Sequence, residues 1–138
     1  MDTKNQLRHQ IIKSLPLPHT ENISDAAVLL WEQMATQIIS IVGEGGFNSL
    51  YARSVVFARS AFPWLEFGSL SPQSDNRFAE LKMCLERQPP AQVREANVLM
   101  LIAFTDILAA LIGEHLTTSI LLLSWGRDAA DRVNKEST

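Results

Sequence analysis

Two glutamates stand at matching places in a repeated phrase, Ile41-Val42-Gly43-Glu44 and Leu111-Ile112-Gly113-Glu114, seventy positions apart. A pair of pseudo-symmetric carboxylates could bind a metal ion or share the work of a general acid and a general base. The plainer role is electrostatic. A Glu directly after a helix-stopping Gly puts negative charge at the next helix's amino end, which stabilises by about 0.3–1 kcal/mol. The chain has no Glu-x-x-His pair of the di-iron bundle type, so these carboxylates come without the imidazole ligands such a centre uses. No metal and no cofactor are expected.

His115 follows Glu114 directly. Neighbours on a helix point about 100° apart, so the two are poor partners for one ligand. On an exposed bundle face His115 could instead take a phosphoryl group from a receiver domain. Thr117, Thr118 and Ser119 are small enough to admit a partner, but the usual lysine a few positions on is missing. A structural or surface histidine is the competing reading.

Arg53 and Arg59 lie in a duplicated Ala-Arg-Ser. A six-residue step turns a helix by about 240°, so the two guanidinium groups face different sides. They could grip an anion or a carboxylate. Asp106 sits in the most apolar run of the chain and needs a hydrogen-bonded partner if buried, with Arg53 the first candidate. Glu44, Arg53, Glu114 and His115 are therefore the candidate ligand-binding residues, and no catalytic residue is assigned. Gly43-Glu44-Gly45-Gly46 lacks the lysine and hydroxyl residue of a nucleotide loop and reads as a linker between helices. Cys84 reads as a core residue, and no serine–histidine–acid order sits on a recognisable turn.

The elements that must hold these residues are helical. Residues 3–15 have a weak helical spacing, ended by Leu15-Pro16-Leu17-Pro18, and read as a short arm lying on the body or reaching to a neighbour. Residues 23–42 form the clearest amphipathic helix, with Ser24 as a plausible N-cap, a stripe at Ala27, Leu30, Met34, Ile38 and Ile41, and Gly43 as its stop. A second helix covers 47–62, and another runs from a Ser74 or Asp75 cap to about Arg87. Between them, Pro63 to Gln73 is a loop carrying Trp64 and Phe67, aromatics of the kind enriched at protein contacts. After Pro89-Pro90 a helix becomes apolar nearly all round from Val98, a property of bundle centres and subunit interfaces, which makes Leu99 and Ile102 interface candidates. Whether Gly113 ends that helix or lies inside a longer one stays open, since an interior glycine costs only about 1 kcal/mol.

The totals fit this picture. The 138 residues suffice for one core, and 46% hydrophobic with 20% charged content excludes wholesale disorder. A net charge of −3 with no basic cluster argues against nucleic acid as a partner. One cysteine gives no disulfide framework. The polar start lacks a leader pattern, and Asp106, Glu114 and His115 interrupt the one stretch long enough to span a bilayer. A cytoplasmic location is the expectation.

Gly43-Glu44-Gly45-Gly46-Phe47-Asn48-Ser49-Leu50-Tyr51-Ala52-Arg53-Ser54 resembles sequences of small all-helical bacterial proteins of unknown function, over about residues 31–65. The resemblance implies a helical fold and carries no activity.

The expected molecule is an all-α bundle of five or six helices with two pseudo-repeated hairpins. Residues 1–20 form an arm or short helix, 21–126 the bundle, and 127–138 a polar tail. Its expected role is a non-enzymatic interaction or regulatory module that self-associates, most simply as a homodimer. A phosphotransfer or small-ligand signalling domain using His115 or Glu44 and Glu114 is the alternative, and peripheral membrane attachment a third.

Overall fold

The computed structural model describes residues 3–15, 17, 22–65 and 78–125. Across them the chain is an all-α bundle: α1 (Thr3–Lys13), α2 (Ile23–Arg59), α3 (Ala79–Glu86), α4 (Pro90–Ile112) and α5 (Glu114–Trp125). Phe67, the expected Ser74 or Asp75 cap and the polar tail lie outside the described residues.

A straight helix with the 37 residues of α2 would be a rod about 55 Å long. It is not straight. Gly43 has φ 81° and ψ 166°, a backbone region open essentially to glycine alone. The chain turns there. Trp31 and Tyr51 would be about 30 Å apart along an unbroken helix, yet their ring centroids lie 5.4 Å apart, edge to face. The halves 23–42 and 44–59 therefore fold back on each other around a shared aromatic centre.

Gly113 does the same for α4 and α5, with φ 100° and ψ 150°. It ends α4, and so decides the question the sequence leaves open. Its amide donates to the Ala109 carbonyl at 2.9 Å, and its own carbonyl accepts from the Thr117 amide at 3.1 Å and the Thr117 hydroxyl at 2.7 Å.

The core lies where α2 packs on α4, with α5 against both, α3 on α2, and α1 on α4 and α5. Trp31, Phe47, Tyr51, Phe78 and Phe104 make its aromatic centre; Phe104 stands 5.4 Å from Trp31 and 5.3 Å from Phe47. Each such side chain contributes about 1.5–3 kcal/mol on burial. Six pairs of positions seventy apart are buried in both members: Trp31 and Leu101, Met34 and Phe104, Ile38 and Leu108, Phe47 and Thr117, Leu50 and Ile120, Tyr51 and Leu121. Inside this core Trp31 Nε1 donates to Asn97 Oδ1 at 2.8 Å.

Two expectations need local correction. Asn22, not Ser24, precedes the first turn of α2, without a side-chain cap, and Ser24 is buried inside that turn. The buried side of the turn faces the core, so its hydroxyl is not where an N-cap must be. By length and composition α2 and α4 could each cross a membrane; in this structure α2 doubles back at Gly43 and α4 supplies core side chains.

Candidate functional site

The strongest concentration of charge is built around Arg8. On α1, Arg8 falls in line with Ile11, Ile12 and Leu15, the three- and four-residue spacing of one helix face. That face is buried, so the guanidinium is carried in with the isoleucines and is only 1% exposed. A buried charge needs partners. The corner between α4 and α5 supplies them.

Arg8 Nε donates to Glu114 Oε2 at 2.6 Å and Nη2 to Glu114 Oε1 at 3.1 Å, a two-point fork on one carboxylate. Nη1 donates to Asp106 Oδ1 at 2.6 Å and to Thr105 Oγ1 at 2.8 Å. Thr105 can accept because its own proton goes to the Leu101 carbonyl at 2.8 Å. The Thr118 hydroxyl lies 3.4 Å from Glu114 Oε2. His9 Nε2 lies 3.0 Å from Asp106 Oδ1 at the outer edge of the cluster, where the Asp106 side chain is 49% exposed.

Two physical causes put Glu114 here. Gly113 starts the turn, which makes Glu114 the first residue of α5 and sets its charge at the positive end of that helix. Arg8 then closes on it from α1. Burial works to lower the Arg8 pKa, but its hydrogen bonds to Glu114 and Asp106, with their negative charges, outweigh it and hold the guanidinium above its ordinary value. The cation is permanent. The arrangement can fix α1 on the bundle and set one guanidinium against a carboxylate of α4 and one of α5.

The expected partner of Asp106 was Arg53, and that expectation is corrected: Arg8 takes the carboxylate, while Arg53 is exposed on the second half of α2. Of the four candidate ligand residues, Glu114 belongs to the Arg8 cluster. Glu44 is exposed at the other Gly-Glu corner, and His115 is exposed on the first turn of α5. Trp64 is half-buried, with its ring 5.9 Å from that of Phe62, and packs against the core. Leu99 and Ile102 are half-buried and also pack against it. Among the described residues, no three His, Cys, Asp or Glu side chains converge as a metal ion would require.

Arg8 itself is the residue that sequence reasoning missed. The signal was present, because a single arginine on an otherwise apolar stripe must be either solvated or paired.

Compared with family models, curated proteins and solved structures, the chain matches none.

Proposed function

We propose that this chain is a non-enzymatic helical interaction or regulatory module that self-associates as a homodimer in the cytoplasm. The observation that carries the reading is the set of large apolar side chains left outside a well-filled core, with Leu111 67% and Leu123 69% exposed. Single exposed leucines are ordinary on a protein surface. Here α5 also presents Leu116 on the face that carries Leu123, two turns apart, and Leu111 stands just before the corner that begins that helix. Such faces gain by meeting another apolar surface.

The proposal includes a duplicated origin for the two hairpins. Its support is the shared glycine geometry at Gly43 and Gly113 and the coincidence of buried positions seventy residues apart. In this reading the Gly-Glu corners are structural joints, and the Arg8 cluster is the tie that holds α1 to one of them.

A signalling role for His115 is the second reading, supported by the exposure of its imidazole. Incubation with a phosphodonor or receiver protein separates the two. Phosphate incorporation lost in His115→Ala would favour the second reading, and no incorporation in the wild type would eliminate it. Sedimentation equilibrium tests the first: a dimer mass at micromolar concentration is expected, and a strictly monomeric species would overturn it.

A further inference from the structure

Two surfaces on α2 have complementary character. On its second half, residues 45–65 contain Arg53 and Arg59 and no acidic residue. Val56 is 58% and Phe57 57% exposed there, and Arg53 lies three and four residues before them on the same face. An exposed aromatic beside an arginine is the composition of a contact anchor.

The first half of α2 and the start of α3 form the counterpart, an open groove of about 360 Å³ lined by Asp25, Val28, Leu29, Glu32, Phe78, Ala79 and Lys82. Val28, Leu29 and Phe78 give it an apolar floor. Lys82 Nζ lies 2.9 Å from Asp25 Oδ1. With Asp25 and Glu32 against the single cation Lys82, the lining carries a net negative charge, and Glu32 is exposed. Ligand pockets begin at roughly 300 Å³, so an aromatic ring has room.

We propose that the Arg53–Phe57 face of one copy seats in the Asp25–Phe78 groove of a second copy, with Phe57 on the apolar floor and Arg53 against Glu32. The proposal rests on the self-association reading and adds to it a contact on α2 and α3, apart from the α5 face. A twofold pair satisfies it twice, because each copy gives one face and receives one. Charge selects the occupant: the face is locally basic within a chain whose net charge is −3, and the groove offers the acid and the apolar surface together.

Sedimentation velocity over a concentration series tests it with the full chain. Phe57→Asp, Arg53→Glu and Glu32→Arg should each weaken dimerisation by roughly tenfold or more, as reversing or breaking an interfacial charge or anchor does. All three sites are exposed, and unchanged helical circular dichroism would show that the fold is kept. The double variant Arg53→Glu/Glu32→Arg should recover much of the lost association, since each reversed charge then meets its reversed partner. A wild-type dimer unaffected by any of the three would overturn this contact and leave self-association standing. A wild type that stays monomeric overturns both. Binding of the wild type to vesicles containing anionic lipid, lost in Arg53→Glu with no change in oligomeric state, would assign the face to a membrane and overturn the proposal.

Discussion

Arg8 and Glu114 meet at two points across 106 residues of chain, with Nε to Oε2 at 2.6 Å and Nη2 to Oε1 at 3.1 Å. Removing one partner of a buried pair leaves the other charge uncompensated, which costs about 3–5 kcal/mol. Asp106 is half-exposed and can rehydrate, so Arg8→Met should fall at the lower end, about 3 kcal/mol. For a chain of 138 residues that is a fall in Tm of roughly 10 °C. Thermal melts with a double-mutant cycle against Glu114→Gln would measure the coupling. An Arg8→Met protein as stable as the wild type would show that the fork contributes nothing net.

Gly43 and Gly113 differ in kind from Gly45. Gly43 and Gly113 have positive φ, and a Cβ added at either meets nothing within 4 Å, so the cost of alanine there is backbone strain alone. Gly43→Ala and Gly113→Ala should each destabilise by about 1–3 kcal/mol. Gly45 is helical with equally open space, so Gly45→Ala should stabilise by about 0.5–1 kcal/mol. Urea midpoints would compare the three. Equal effects at Gly43 and Gly45 would contradict the corner geometry.

Tyr51 is the chain's single tyrosine. Burial, with smaller contributions from Cys84 and Glu80, raises its phenol pKa well above the ordinary value of 10.0. The sign follows from proton binding: above pH 10.0 the unfolded chain has released the phenol proton while the folded chain keeps it, so stability falls as pH rises. Below that pH the contribution is fully present. Between about pH 10 and 11 the wild type should lose stability that Tyr51→Phe keeps. Tyrosinate absorbance should appear only together with unfolding; ionisation in the folded protein near its ordinary pH would refute the burial.

Asn97 carries a core hydrogen bond at one end only. Its Oδ1 accepts from Trp31, and its Nδ2 has no partner among the described residues. Asn97→Ala leaves the indole N–H buried and unpaired, at a cost of about 1–3 kcal/mol. In a Trp31→Phe background, where that donor is gone, the same substitution should cost less. Chemical denaturation of the four species gives the interaction energy, and strict additivity would argue against the bond.

Much of the fold could be read from local signals. Met34, Ile38, Leu50 and Phe104 line up at helical spacing and are all buried, because burying an apolar stripe needs only the periodicity. Gly43 reads as a helix stop from its residue type, and its φ of 81° is positive as that role requires. The site was less legible. Asp106 demands a partner and Arg53 is the first candidate from sequence, whereas the true partner lies 98 residues away on α1. Long-range ion pairs leave no periodic trace. The clue was Arg8's place on the stripe of Ile11, Ile12 and Leu15, which ties the charge to whatever that stripe packs against.

The Arg8 tie also imposes an order on biosynthesis. A ribosome releases α1 first, yet its carboxylate partner is added 106 residues later, after every other helix but α5 has been translated. Until then the nascent chain carries α1 without its two-point carboxylate contact. Docking of α1 on that carboxylate therefore waits for α5, and a chaperone has a long interval in which it could hold α1.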